Sequence, residues 1–97
     1  MENLTLIDGG YTVKAFEVTT PNGKDVEPMP MLYIETANPS ETATLTFHRS
    51  TDGQTFSAHP ETMEVTGFRH EVLYGLKKGE FVKITSNKQL SNPKIMW

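Results

Sequence analysis

Two histidines, two glutamates and four large aromatic rings are the side chains of this 97-residue sequence that could do chemistry. His48 and His59 flank an Asp-Gly pair, and across a hairpin their rings could approach one another. Two imidazoles do not close a zinc site, which needs a third or fourth ligand, and none stands near them in sequence. Both are expected as solvated surface groups, and His70 is isolated. Glu61 and Glu64 are three residues apart, which on a strand puts them on opposite faces, the wrong arrangement for a paired acid and base. The sequence contains no cysteine. It also lacks a Gly-x-Ser-x-Gly elbow, a His-Glu-x-x-His pair and a Gly-rich phosphate loop ahead of a helix. The expectation is a chain without catalysis, cofactor or metal. Tyr11, Tyr33, Tyr74 and Trp97 could stack on sugar rings if at least two lay coplanar on an exposed face. Each sits beside apolar neighbours, which points to the core instead.

The elements that must carry these residues read as strands. In residues 44–59, TLTFHRSTDGQTFSAH, Asp52-Gly53 signals a two-residue loop of type I′, whose central residues both need positive φ. Arg49 then faces Phe56, and Phe47 faces Ala58. Leu45, Phe47, Phe56 and Ala58 share an apolar face; Thr44, Thr46, His48, Ser50, Thr55, Ser57 and His59 share a polar one, as for a hairpin between core and water. Residues 4–7 read as an edge strand or terminal arm, closed by Asp8-Gly9-Gly10. In residues 11–18 the apolar phase switches after Ala15, which calls for a β-bulge there or a strand covered on both sides. Residues 31–36, 62–66, 68–74, 80–86 and 94–97 complete seven to eight short strands, with Gly67 permitting a bend. No stretch of eleven or more residues has a helical period. The fold class expected is all-β: one antiparallel β-sandwich domain spanning residues 1–97, immunoglobulin-like or jelly-roll, with residues 1–10 as an arm or edge strand. Its core should hold Val13, Leu32, Ile34, Leu45, Phe47, Phe56, Val65, Leu76, Val82 and Ile84.

Charge and loops bound the partners. The net charge of −3 and the lone Lys77-Lys78 pair argue against nucleic acid. Residues 1–65 hold ten acidic and three basic side chains, net −7, and residues 66–97 hold two acidic and six basic, net +4. Interleaved strands would mix these charges; segregated faces would suit contacts between copies. Residues 1–10 lack the basic start and apolar run of a secretion leader, and no apolar run is long enough for a membrane helix. Residues 19–30, TTPNGKDVEPMP, form a long loop that is either a contact loop or a crossover between sheets. Pro28 and Pro30 fence off the strand that follows it.

The segment YGLKKGEFVKITSNKQLSNPKIMW resembles the closing strands of small β-sandwich proteins from tailed-phage virions, in which a Gly-Leu-x-x-Gly turn leads into the last strands. FHRSTDGQTFS is similar to the Ser-x-Asp-Gly-x-x-aromatic hairpin of phage fibre, tail and head-decoration domains. Together the two stretches cover about half the chain, and similar turns occur in many sandwiches. The resemblance implies a virion protein, of head auxiliary (as in crAss-like phages) or decoration or fibre type. It would be assembled in the host cytoplasm and bound to other virion proteins and to copies of itself. The alternative is a carbohydrate-binding sandwich recognising a surface glycan. The residues expected to make protein contacts are Leu4 and Leu6 in the arm, Asn22, Lys24, Asp25 and Met29 in the loop, and Trp97.

Overall fold

The computed structural model describes residues 1–97, and it is a two-layer antiparallel sandwich. Nine strands run in the order β1 (Glu2–Asn3), β2 (Leu6–Ile7), β3 (Thr12–Glu17), β4 (Met31–Thr36), β5 (Thr42–Ser50), β6 (Ser57–Thr66), β7 (Phe68–Val72), β8 (Phe81–Ser86) and β9 (Leu90–Met96). One sheet has the order β1-β9-β4-β7 and the other β2-β3-β8-β5-β6. The count exceeds the expected seven or eight because residues 1–7 divide. β1 pairs with β9 in one sheet and β2 with β3 in the other, and Leu4 and Leu6 pack against the core on the way.

Alternation explains the core. In β4 every second residue is buried (Leu32, Ile34, Thr36), and in β8 Val82 and Ile84 are. Val13, Leu45, Val65 and Ile84 have no exposed surface at all, and complete burial of such a side chain contributes roughly 1.5–3 kcal/mol. The phase switch in β3 is a bulge: the β3–β8 register shifts between Val13 and Phe16. The shift turns Phe16 and Val18 onto the face of Val13, against the core. Gly67, at φ +73°, is the single residue between β6 and β7 and lets the chain leave one sheet for the other. A Cβ there would sit 3.2 Å from the Pro39 carbonyl oxygen. β9 begins four residues before the expected strand; its register on β4 shifts around Asn92 (φ +48°) and Pro93, so a proline without an N–H falls at an irregularity.

The central hairpin departs from expectation. Asp52 is not among the positive-φ residues, so the turn is not type I′. Residues 51–56 form a six-residue loop folded around two side chains. Asp52 Oδ1 accepts from the Gln54 and Thr55 N–H groups and from the Ser50 hydroxyl, while buried Ser50 Oγ accepts from the Asp52 and Gly53 N–H groups. Side-chain acceptors compete here with the backbone ladder that a tight turn would have closed. Arg49 therefore faces Ser57, not Phe56, and His48 faces Ala58. A slip of one residue exchanges faces. Ala58 is exposed, and Phe56 leaves the expected core to lie under the Lys83 ammonium at 4.9 Å. Phe47 is only partly buried but does pack on the core. Val18, Ala43, Met63, Leu90 and Ile95 complete it.

Candidate functional site

The side of the sandwich where the two sheets end on β6 and β7 carries the molecule's most developed surface features. A cleft of about 300 Å³ opens there between the layers. Phe47, Met63, Leu76 and Val82 form its apolar floor, and Arg49, His59, Glu61, Arg69, Glu71 and Tyr74 line it with polar groups.

Those polar groups are mostly held by one another. Arg49 donates from Nε and Nη2 to the two oxygens of Glu80 at 2.9 and 2.7 Å, and Nη2 also reaches the Gly75 carbonyl at 2.9 Å. Partial burial alone would push the Glu80 carboxyl up, but the Arg49 hydrogen bonds, the Lys77 N–H and the charges of Arg49 and Lys77 outweigh it and hold it below the ordinary value. Arg69 makes the matching fork on β7, with Nε and Nη2 at 3.1 and 2.9 Å from Glu71 Oε2 and Nη1 at 2.7 Å from the Glu64 carbonyl. Two forked arginine–carboxylate pairs fix the rim; they are the strong, directional kind of charged hydrogen bond. His59 Nδ1 accepts the Glu61 N–H at 3.1 Å. The cleft can therefore receive a small apolar group between two charged fences.

On the opposite, outer face of the four-stranded sheet lies a ring cluster. Tyr33 on β4 pairs directly with His70 on β7, and the rings stack at 5.6 Å with 14° between planes. Phe68 sits 6.0 Å from His70 and 6.3 Å from Tyr33, tilted 33° and 44°. Phe68 is 53% exposed and Met96 46%, and Glu35 opposite Phe68 and Lys94 opposite Tyr33 share this face with them. Period-two alternation puts Tyr33, Phe68 and His70 at outward positions, but only the pairing of β4 with β7 brings them together.

The histidine pair expected across the hairpin is separated. The β5–β6 register shifts between Thr46 and His48, which swings His59 into the cleft while His48 stays on the outer face of the five-stranded sheet. There His48 Nε2 lies 2.9 Å from Thr85 Oγ1. Burial, then the Lys83 ammonium on the adjacent strand, pushes its imidazole below the usual value. No group of three or more His, Cys, Asp or Glu side chains is placed to hold a metal ion.

The expected contact residues fall into two sets. Asn22, Lys24, Asp25 and Met29 are exposed along the 19–30 loop, where the Thr20 hydroxyl donates to the Lys24 carbonyl and Lys78 Nζ reaches the Gly23 carbonyl at 2.6 Å. Leu4, Leu6 and Trp97 turn inward within their own chain. Trp97 packs on Phe16 at 6.2 Å, and its buried Nε1 has no acceptor. Of the four rings weighed for sugar stacking, no two form a pair with each other; Tyr33 is joined instead by Phe68 and His70. Tyr11 and Tyr74 stand apart and exposed. Comparison of the chain with protein-family models, with curated proteins and with solved structures finds no match.

Proposed function

We propose that this chain is a non-enzymatic structural protein that acts in many copies through protein–protein contacts, as a head auxiliary, decoration, tail or fibre component of a phage virion. The observation that supports the reading best is the Tyr33–His70–Phe68 face. It stands on paired strands and is aromatic, with Glu35 directly opposite Phe68 and Lys94 directly opposite Tyr33. Aromatic rings with charged groups beside them are a common make-up of a protein contact. The virion setting comes from the two quoted motifs, the Gly-Leu turn and the Asp-Gly hairpin.

The test is fractionation of a phage-producing culture on a density gradient, with the chain followed by antibody. The expected result is a band that travels with intact particles at a fixed multiple of the other particle proteins. A chain that stays at the top of the gradient, and that purified particles do not capture, overturns the reading.

A second reading, a carbohydrate-binding sandwich, draws on the same rings. The 44° tilt between Tyr33 and Phe68 departs from the flat platform that a sugar ring favours. Binding to a glycan array that is lost in Phe68→Ala would establish it.

A further inference from the structure

We infer that two copies of this chain join edge to edge through β7, antiparallel and in one register, about a two-fold axis at His70. The inference rests on the multicopy reading above and names one of its contacts.

The backbone sets which groups are free. The Thr36 N–H bonds to the Gly67 carbonyl, and the Leu73 N–H to the Pro30 carbonyl, each at 2.8 Å. These two bonds lie at either end of the β4–β7 ladder, whose pairs include Ile34 with Arg69 and Leu32 with Glu71. Bonded and non-bonded pairs alternate in an antiparallel ladder. Arg69 and Glu71 therefore direct their N–H and C=O groups to β4. Phe68, His70 and Val72 direct theirs away from the sheet, and β7 has no strand on that side. Unpaired edge groups of this kind are a template for another strand.

The sequence of β7, Phe-Arg-His-Glu-Val, is complementary to itself when reversed. With His70 facing His70 of the second copy, Phe68 faces Val72 and Arg69 faces Glu71 of that copy, and the reverse. The three outward-directed residues then face three outward-directed residues, each pair exchanging two backbone bonds. Arg69 and Glu71 fall at the non-bonded positions, where side chains approach most closely. Each arginine meets the opposite charge. Sliding the register by two residues would set Phe68 or Val72 against His70 and leave an Arg or Glu without its counterpart. The charges thus select this register as well as permitting it. Arg69 and Glu71 are paired with each other within the chain at 2.9 Å and are still 40% and 42% exposed, so across the axis the two pairs join into one cluster of four alternating charges. On the outer face, exposed Phe68 gains Val72 of the second copy as a cover, and the Tyr33–His70 stacks of the two copies become one row.

The test uses the full chain in sedimentation velocity from about 1 μM to about 1 mM, the range of weak to moderate self-association. A concentration-dependent dimer is expected. Arg69→Glu places like charges opposite one another and should weaken the dimer at least about tenfold; Glu71→Arg should do the same. Mixed together, the first variant presents acid at both positions and the second presents arginine at both, so opposite charges face one another again and a heterodimer should form. Its formation also shows that both variants are folded. Amide exchange gives the register: the Phe68, His70 and Val72 amides should be slowed only in the dimer, and those of Arg69 and Glu71 in every folded species. A monomer throughout the range overturns the inference. So does a dimer indifferent to both single variants, or two variants that fail to pair when mixed. A monomer that still co-sediments with particles removes this contact and leaves the structural reading standing; a dimer that joins no particle does the opposite.

Discussion

β6 and β7 leave the same bend at Gly67 and end the two sheets on the same side of the molecule, yet they are defended in opposite ways. β6 is the longest strand, ten residues, and an open edge of that length invites pairing with a neighbour. It carries the usual protections. Pro60 removes a donor, the register is interrupted between Ala58 and Thr62, and Glu61 and Glu64 add exposed negative charge. β7 has five residues, no proline and no irregularity against β4, and the charges it carries attract a reversed copy of itself. The other two edges, β1 and β2, are only two residues long. One edge of four is thus regular, open and self-complementary, and it carries the exposed ring of Phe68. An edge can be made safe by charge of one sign or made specific by charge of alternating sign.

Core and surface substitutions on the two strands should separate folding from association, and here the largest effect is expected. Met63 on β6 is 8% exposed and belongs to the core. Met63→Ala should cost about 2–3 kcal/mol of folding stability in urea titration and leave the association constant of the folded chain unchanged. Phe68→Ala on β7, at 53% exposed, should cost under about 0.5 kcal/mol of folding stability and weaken association several-fold. If Phe68→Ala lowers the urea midpoint as much as Met63→Ala does, the outer face is part of the core and the distinction between the two strands fails.

A proline guard moved from one edge to the other should have a smaller effect on the fold and a selective one on association. The His70 N–H points away from β4, so His70→Pro removes no bond of the sheet, and proline is tolerated on edge strands in that orientation. Folding should change by less than about 1 kcal/mol, while self-association is abolished because both central bonds of the two-fold are lost. Pro60→Ala should not make β6 associate, since Glu61, Glu64 and the interrupted register remain. Sedimentation of both variants checks this; a Pro60→Ala protein that oligomerises would show that the proline was the sole guard.

How much of this was legible in the sequence follows from range. In 80–86 alternation was enough to place Val82 and Ile84, because period two records burial directly; in 31–36 Met31, Leu32, Tyr33 and Ile34 make both faces apolar, the mark of a central strand, and β4 does lie between β9 and β7. The bulge near Ala15 was legible for the same reason: a bulge shifts the phase of the apolar residues. The hairpin was misread where a local signal had two outcomes. Asp-Gly suits a type I′ turn, but Ser50 and Asp52 together can cap a longer loop through their side chains, and the one-residue slip moved Phe56 and Ala58 to the other face. The cleft and the ring cluster were beyond reach, because Tyr33 and His70 are 37 residues apart and meet only through sheet order. The inward turn of Leu4, Leu6 and Trp97 was hidden likewise, since an apolar end reads the same whether its cover is its own core or a neighbour.

Acid should distinguish the two regions with the smallest effect of all. Asp52, which holds the loop leading into β6, has its carboxyl drawn from 3.8 to about 2 by the N–H groups of Thr55 and Gln54 and by the Ser50 hydroxyl. Glu80 is shifted in the same direction, Arg49 and Lys77 outweighing its burial. In both cases the folded chain binds a proton less readily than the unfolded one. Their contribution to stability is therefore complete above the ordinary carboxylate range and is lost as pH falls through the lowered folded values. For Asp52 that window runs from about pH 4 down to about pH 2. Neither of these carboxylates lies on β7. Below about pH 4 the urea midpoint should fall, and less steeply in Asp52→Asn, whose side chain keeps an acceptor for the loop but has no proton to take up. If Asp52→Asn falls as steeply as the parent, the loop is not held by that carboxylate.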